Sequence, residues 1–118
     1  MSKPPIAEPL TPAVFHVLLA LAQGARHGYA IMQSVTETSG RGVGPGTVYG
    51  TLQRLEEGGL VEEVPTRPRS GEAGAGAERR RYFAMTKAGR AALVAEARRV
   101  SRMADLVRAR RLVPEGRS

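Results

Sequence analysis

A mainly α-helical fold with one small β-hairpin is the architecture this sequence predicts, and three observations carry it. Apolar residues recur at helical spacing in four separate stretches. Two short β-patterned runs enclose a long loop rich in Gly, Ala, Pro and Ser, and the excess positive charge lies wholly in the second half of the chain. At 118 residues there is room for one core and not two. Hydrophobic residues make up 42% and aromatics only 4%, with no Trp, so Leu, Val, Ile, Met and Ala must build that core.

Residues 1–10 read as a flexible arm containing three prolines. Thr11 is placed to cap a first helix with Pro12 at its first position, and Val14, Leu18 and Leu21 form the stripe, flanked by Phe15, Leu19 and Ala22. Gly24 ends it. A second helix is expected from about His27 to Thr38, with Ile31, Met32 and Val35 facing inward, followed by a glycine-rich turn to Gly44. The third helix starts at Pro45 and stops near Glu57 before Gly58 and Gly59. Val48, Leu52 and Leu55 face inward; at about 100° per residue, Gly46, Gly50, Gln53 and Glu57 point the opposite way, with Thr47, Tyr49 and Arg54 flanking them. Leu60 to Val64 and Arg79 to Met85 are the paired strands, and 65–78 is the loop between them. Thr86 caps a last helix from Lys87 to about Leu112, and 114–118 is a tail.

Charge narrows the function. The formal net charge is +7; residues 1–60 hold four basic and four acidic side chains, residues 61–118 fourteen and seven, so the excess lies in the second half. Sixteen of the eighteen cations are Arg, whose fork suits phosphate and guanine. With no Cys, thiol catalysis, thiolate metal sites and disulfides are excluded. His16 and His27 have no ligand partners at metal spacing, no nucleophile–base pair is legible, and no cofactor is implied, so the expectation is a protein that is not an enzyme. No apolar run approaches the roughly 18–20 residues of a membrane span. The first residues lack the apolar stretch of a secretory signal, so a cytoplasmic location is expected.

Two helices joined by a glycine turn and followed by a basic hairpin are the parts of a winged helix-turn-helix. Its third helix fits the major groove of double-stranded DNA, and its hairpin cations reach neighbouring phosphates or the minor groove. On this reading residues 11–86 form the DNA-binding domain with its wing loop at 65–78. The DNA-facing candidates are Gly46, Thr47, Tyr49, Gly50, Gln53 and Arg54 on the third helix, with Arg67, Arg69, Arg79, Arg80 and Arg81 on the hairpin. Two readings stay open for Tyr49, a DNA contact or a core aromatic, and Arg79 to Arg81 also suit a strand edge guarded by charge. In the last helix Leu93, Ala97, Val100, Ala104 and Val107 recur by four and three along one face, which Met103 and Leu106 widen. At about 26 residues, or roughly 39 Å, that helix outruns its own domain, so residues 87–113 are expected to form a homodimer. Fold alone does not separate this from a winged helix whose basic wing meets an acidic protein partner.

Three segments in order resemble the PadR family of transcriptional regulators: LTPAVFHVLLALAQGARHGYAIMQSV, GPGTVYGTLQRLEEGGLVEE and RRRYFAMTKAGRAAL, together spanning about residues 10–112. The single last helix is similar to the family's compact branch. The resemblance implies a homodimer on an inverted-repeat operator, often a repressor. It further implies that Thr47 and Tyr49 lie at the DNA in the Pro-Gly-Thr-x-Tyr motif, that Tyr29 of the His-Gly-Tyr motif supports that surface, and that Arg79, Arg80 and Arg81 open the second wing strand. It admits a small-molecule effector or a stress signal that relieves repression. Position 44 is Gly where a serine cap is common, and position 50 is Gly where a larger side chain is common. The last helix has no aromatic residue to hold the flat ligands that some relatives bind.

Overall fold

The computed structural model describes residues 10–65 and 81–114. Helix α1, Pro12–Ala20, begins where Thr11 accepts a hydrogen bond from the Val14 N–H (3.3 Å) and Pro12 occupies the first turn. Its regular part is shorter than the apolar pattern suggested, since Leu21 to Gln23 form turns before Gly24. Leu19, expected beside the stripe, is 39% exposed. Strand β1, Arg26–His27, follows directly and was not foreseen; it pairs antiparallel with a later strand, Arg26 opposite Phe83 and His27 opposite Tyr82.

Helix α2, Gly28–Ser39, is capped by the His27 side chain, whose Nδ1 accepts from the Ala30 N–H at 3.2 Å. The imidazole therefore serves as a cap and not as the first helical residue. Its ring also stacks on Tyr29 and meets Tyr82 edge-on at 5.4 Å between centroids. His27→Ala is expected to cost about 1 kcal/mol of stability through the lost cap, read as a lower urea midpoint with an unchanged slope. Gly40 closes α2 at φ 77°, a backbone shape that favours glycine, and donates to the Thr36 carbonyl.

Helix α3, Pro45–Glu57, starts as expected, and Gly44 gives it no side-chain cap. Strands β2, Val61–Val64, and β3, Tyr82–Met85, pair with Val61 opposite Met85 and Val64 opposite Tyr82, completing a three-stranded sheet in the order β1-β3-β2. β3 begins later than Arg79: Arg81 lies just outside it, and Arg79 and Arg80 lie outside the described residues. Helix α4, Lys87–Ala109, is capped by Thr86, which accepts from the Gly89 N–H at 3.0 Å and donates to the Gly59 carbonyl at 2.7 Å. The regular helix ends at Ala109, short of the expected Leu112.

The core joins Leu10, α1, the inner faces of α2 and α3, Val61, Phe83 and Leu93. Leu93 was expected to face a second subunit; it is instead 5% exposed within its own domain, because the first turns of α4 cover α1. Near it, the buried Glu96 carboxylate accepts from the Leu10 N–H (3.4 Å) and is gripped by both forks of Arg99 (3.2 and 2.6 Å). That guanidinium holds the carboxyl below its ordinary range. No residue of α4 beyond Glu96 is buried.

Candidate nucleic-acid interface

Val48, Leu52 and Leu55 fix the inner face of α3 in the core, each no more than 1% exposed. The opposite face carries Gly46, Thr47, Gly50, Gln53, Arg54 and Glu57, all exposed. A Cβ built at Gly46 or Gly50 would meet nothing within 4 Å. Neither glycine is therefore required by packing inside the domain. Gly50 lies mid-helix, where it costs about 1 kcal/mol relative to Ala. Among the described residues the side chains of Gln53 and Arg54 have no hydrogen-bond partner, so Gln53 presents a donor and an acceptor outward.

Tyr49 is more structural than its place on the helix suggested. At 38% exposure its ring sits edge-on to Phe83, 6.5 Å between centroids, and its hydroxyl end lies against Gly28. Any side chain at position 28 would overlap that phenol, so Gly28 lets α2 and α3 close together at this point. Tyr29, one residue on, is 59% exposed; its hydroxyl accepts from the Gln33 amide at 3.3 Å. Tyr29 and the outer face of α3 thus stay open while Tyr49 braces them from behind.

On the hairpin side, Arg81 forms a two-pronged pair with Glu63, Nε to Oε2 at 3.1 Å and Nη2 to Oε1 at 2.9 Å. The guanidinium lies 5.2 Å from the Phe83 ring centroid. The Arg81 hydrogen bonds hold the Glu63 carboxyl below the usual carboxylate range, and Glu63 in turn raises Arg81. Between this pair and α3 runs a groove of about 560 Å³ bordered by Gly46, Tyr49, Gly50, Gln53, Glu56 and Arg81. Among the described residues no group of three or more His, Asp or Glu is arranged to hold a metal, and no helix is long and apolar enough to cross a membrane.

A family model described as the transcriptional regulator PadR-like family matches residues 17–95. The chain belongs to that family. Among solved structures, H. salinarum RosR is similar at 29% identity, over 80% of this chain and 76% of that one, with a TM-score of 0.65. The complex structure of hsRosR-S4 matches at 25% identity over 92% and 95% of the two chains, TM-score 0.63. A PadR family transcription regulator from Clostridium difficile R20291, at 21% identity, shares the fold over 84% of this chain and 97% of its own, TM-score 0.67. An uncharacterized 37.1 kDa protein in transposon TN4556 of Streptomyces fradiae is 40% identical over 91 residues, which are 77% of this chain and 24% of that protein. The chain thus spans about a quarter of that relative.

In this PadR-like regulator the described residues hold the parts of the winged-helix arrangement: α2, the glycine turn, α3 and the paired strands β2 and β3. The structure brings Gly46, Tyr49, Gly50 and Gln53 of α3 to one groove with Arg81, whereas Thr47 lines the side of α3 toward α1 and α2, Arg54 is exposed outside the groove, and Tyr29 stands at the start of α2. Arg67, Arg69, Arg79 and Arg80 lie outside the described residues. Sequence reasoning missed Glu63 as the partner of Arg81 and Phe83 as the ring beneath both Arg81 and Tyr49. The pair follows from the strand register, in which Glu63 opposes Phe83 and Arg81 is the diagonal neighbour two residues away, and alternation alone does not set that register.

Proposed function

We propose that this PadR-like protein is a homodimeric, sequence-specific repressor of an inverted-repeat operator, with α3 in the major groove and the hairpin beside it on the duplex. The observation that carries the reading is Gly50: an unpacked mid-helix glycine on the exposed face of an otherwise well-packed helix. Such a residue weakens the free protein and is accounted for by close approach of base edges to the α3 backbone. Gln53, one turn further along the same face, offers the paired donor and acceptor that suit adenine. Arg54 flanks that face and reaches phosphate, and the exposed far half of α4 supplies the pairing surface through Ala97, Val100, Met103, Ala104 and Val107.

Selection of duplexes from a random pool by the purified full chain tests this. The expected product is a pair of inverted half-sites about 34 Å, or a multiple of that, apart, bound with an affinity that falls steeply with salt. Gly50→Ala is expected to stabilise the fold by about 1 kcal/mol and yet bind the selected duplex more weakly. Gln53→Ala should relax preference at one position per half-site, by about 1–3 kcal/mol. Equal binding of every duplex by the wild type would sink the proposal. A promoter–reporter assay with the selected site separates repression from activation.

A further inference from the structure

We propose that Arg81 reads a guanine edge in the operator and that Glu63 is the positioning residue that aims it. The inference rests on the DNA-binding reading above. A guanidinium has five N–H donors in a planar fork. Glu63 occupies the side edge, taking one donor on Nε and one on Nη2. The end edge, one N–H of Nη1 and the second N–H of Nη2, has no acceptor among the described residues, and it is this edge that matches the O6 and N7 acceptors of guanine. The Phe83 ring beneath the guanidinium restricts its swing. Arg81 also borders the same groove as Gly46, Gly50 and Gln53, so the fork stands beside the face that approaches the bases.

Charge selects a base over a phosphate. Glu56 borders the groove too and interacts with Arg81 electrostatically. Two carboxylates, Glu63 and Glu56, offset the single charge of Arg81, which weakens its pull on an anionic phosphate and leaves its open fork suited to a neutral base edge presenting two acceptors.

The test compares wild type, Arg81→Lys and Glu63→Ala in duplex selection and in titrations of the selected duplex, with thermal melts confirming that each variant is folded. Arg81→Lys keeps the charge and loses the fork; guanine preference at one position per half-site is expected to drop about tenfold. Glu63→Ala is expected to lose preference at that same position, although it removes a negative charge from a DNA-facing surface. Placing 7-deazaguanine there should weaken the wild type more than Arg81→Lys, whose ammonium lacks the planar fork. The inference is overturned if Glu63→Ala binds all duplexes more tightly with preference intact, for then the acid only masks a phosphate-binding cation. It is equally overturned if Arg81→Lys weakens every sequence alike or changes nothing. A wild type that selects no sequence at all would instead remove the DNA-binding reading beneath it.

Discussion

Met103→Glu is expected to leave the subunit folded and, on the dimer proposed above, to abolish pairing and lower affinity for the full inverted repeat by on the order of a hundredfold. Helix α4 has 23 residues, roughly 34 Å. Its first turns lie on α1, but past Glu96 none of its residues is buried among the described residues. Val100, Met103 and Leu106 are 39%, 49% and 46% exposed, three large apolar side chains at helical spacing of three. A carboxylate at 103 would be desolvated by an apolar pairing surface, while in the lone subunit it stays in solvent. Sedimentation gives the mass, circular dichroism the fold, and titration of full and half-sites the coupling. If Met103→Glu stays dimeric with unchanged affinity, α4 is not the pairing surface.

Phe83→Ala is expected to cost about 3–5 kcal/mol, enough to leave a domain of ordinary stability largely unfolded on mild warming. The ring is 1% exposed and is the largest fully buried side chain. It sits at a crossing point: β3 places it opposite Arg26 on one side and Glu63 on the other, Tyr49 meets it from α3, and Arg81 lies over it. Phe83→Leu keeps most of the volume, and its expected cost is below about 1.5 kcal/mol. That variant should fold but hold Tyr49 and Arg81 loosely, so selectivity among duplexes falls more than affinity for any one. Urea melts separate the two variants; equal stability of Phe83→Ala and wild type would show that the ring does not anchor the sheet.

The helices were legible because their signals are local. Thr11, Pro12, Pro45 and Thr86 mark starts within one turn of the residues they serve, and the stripes of α1 and α3 repeat every three or four positions. The short strand β1 was not legible, since two residues carry no period and their pairing depends on Tyr82 and Phe83, far along the chain. The Glu63–Arg81 pair was hidden for a related reason. Hairpin register follows from loop geometry, and a loop as long as residues 65–78 leaves it unspecified in the sequence. Tyr49 lay between the two faces of a helical wheel, and only the cleared space at Gly28 decided which way its hydroxyl turned. Leu93 and Val100 are equally apolar in sequence; what separates them is where α4 leaves α1 behind.

At the root of α4, a methyl group on Gly89 would collide with the Leu60 carbonyl oxygen, and that same oxygen accepts from the Thr86 N–H at 3.0 Å. Backbone rests on backbone here, with no side chain between to yield. Helix and hairpin therefore turn as one piece, like a handle welded to its blade. In the dimer proposed above, a tilt of one such helix against its partner would carry each hairpin with it, and a few degrees at one end would become ångströms of misfit at the other.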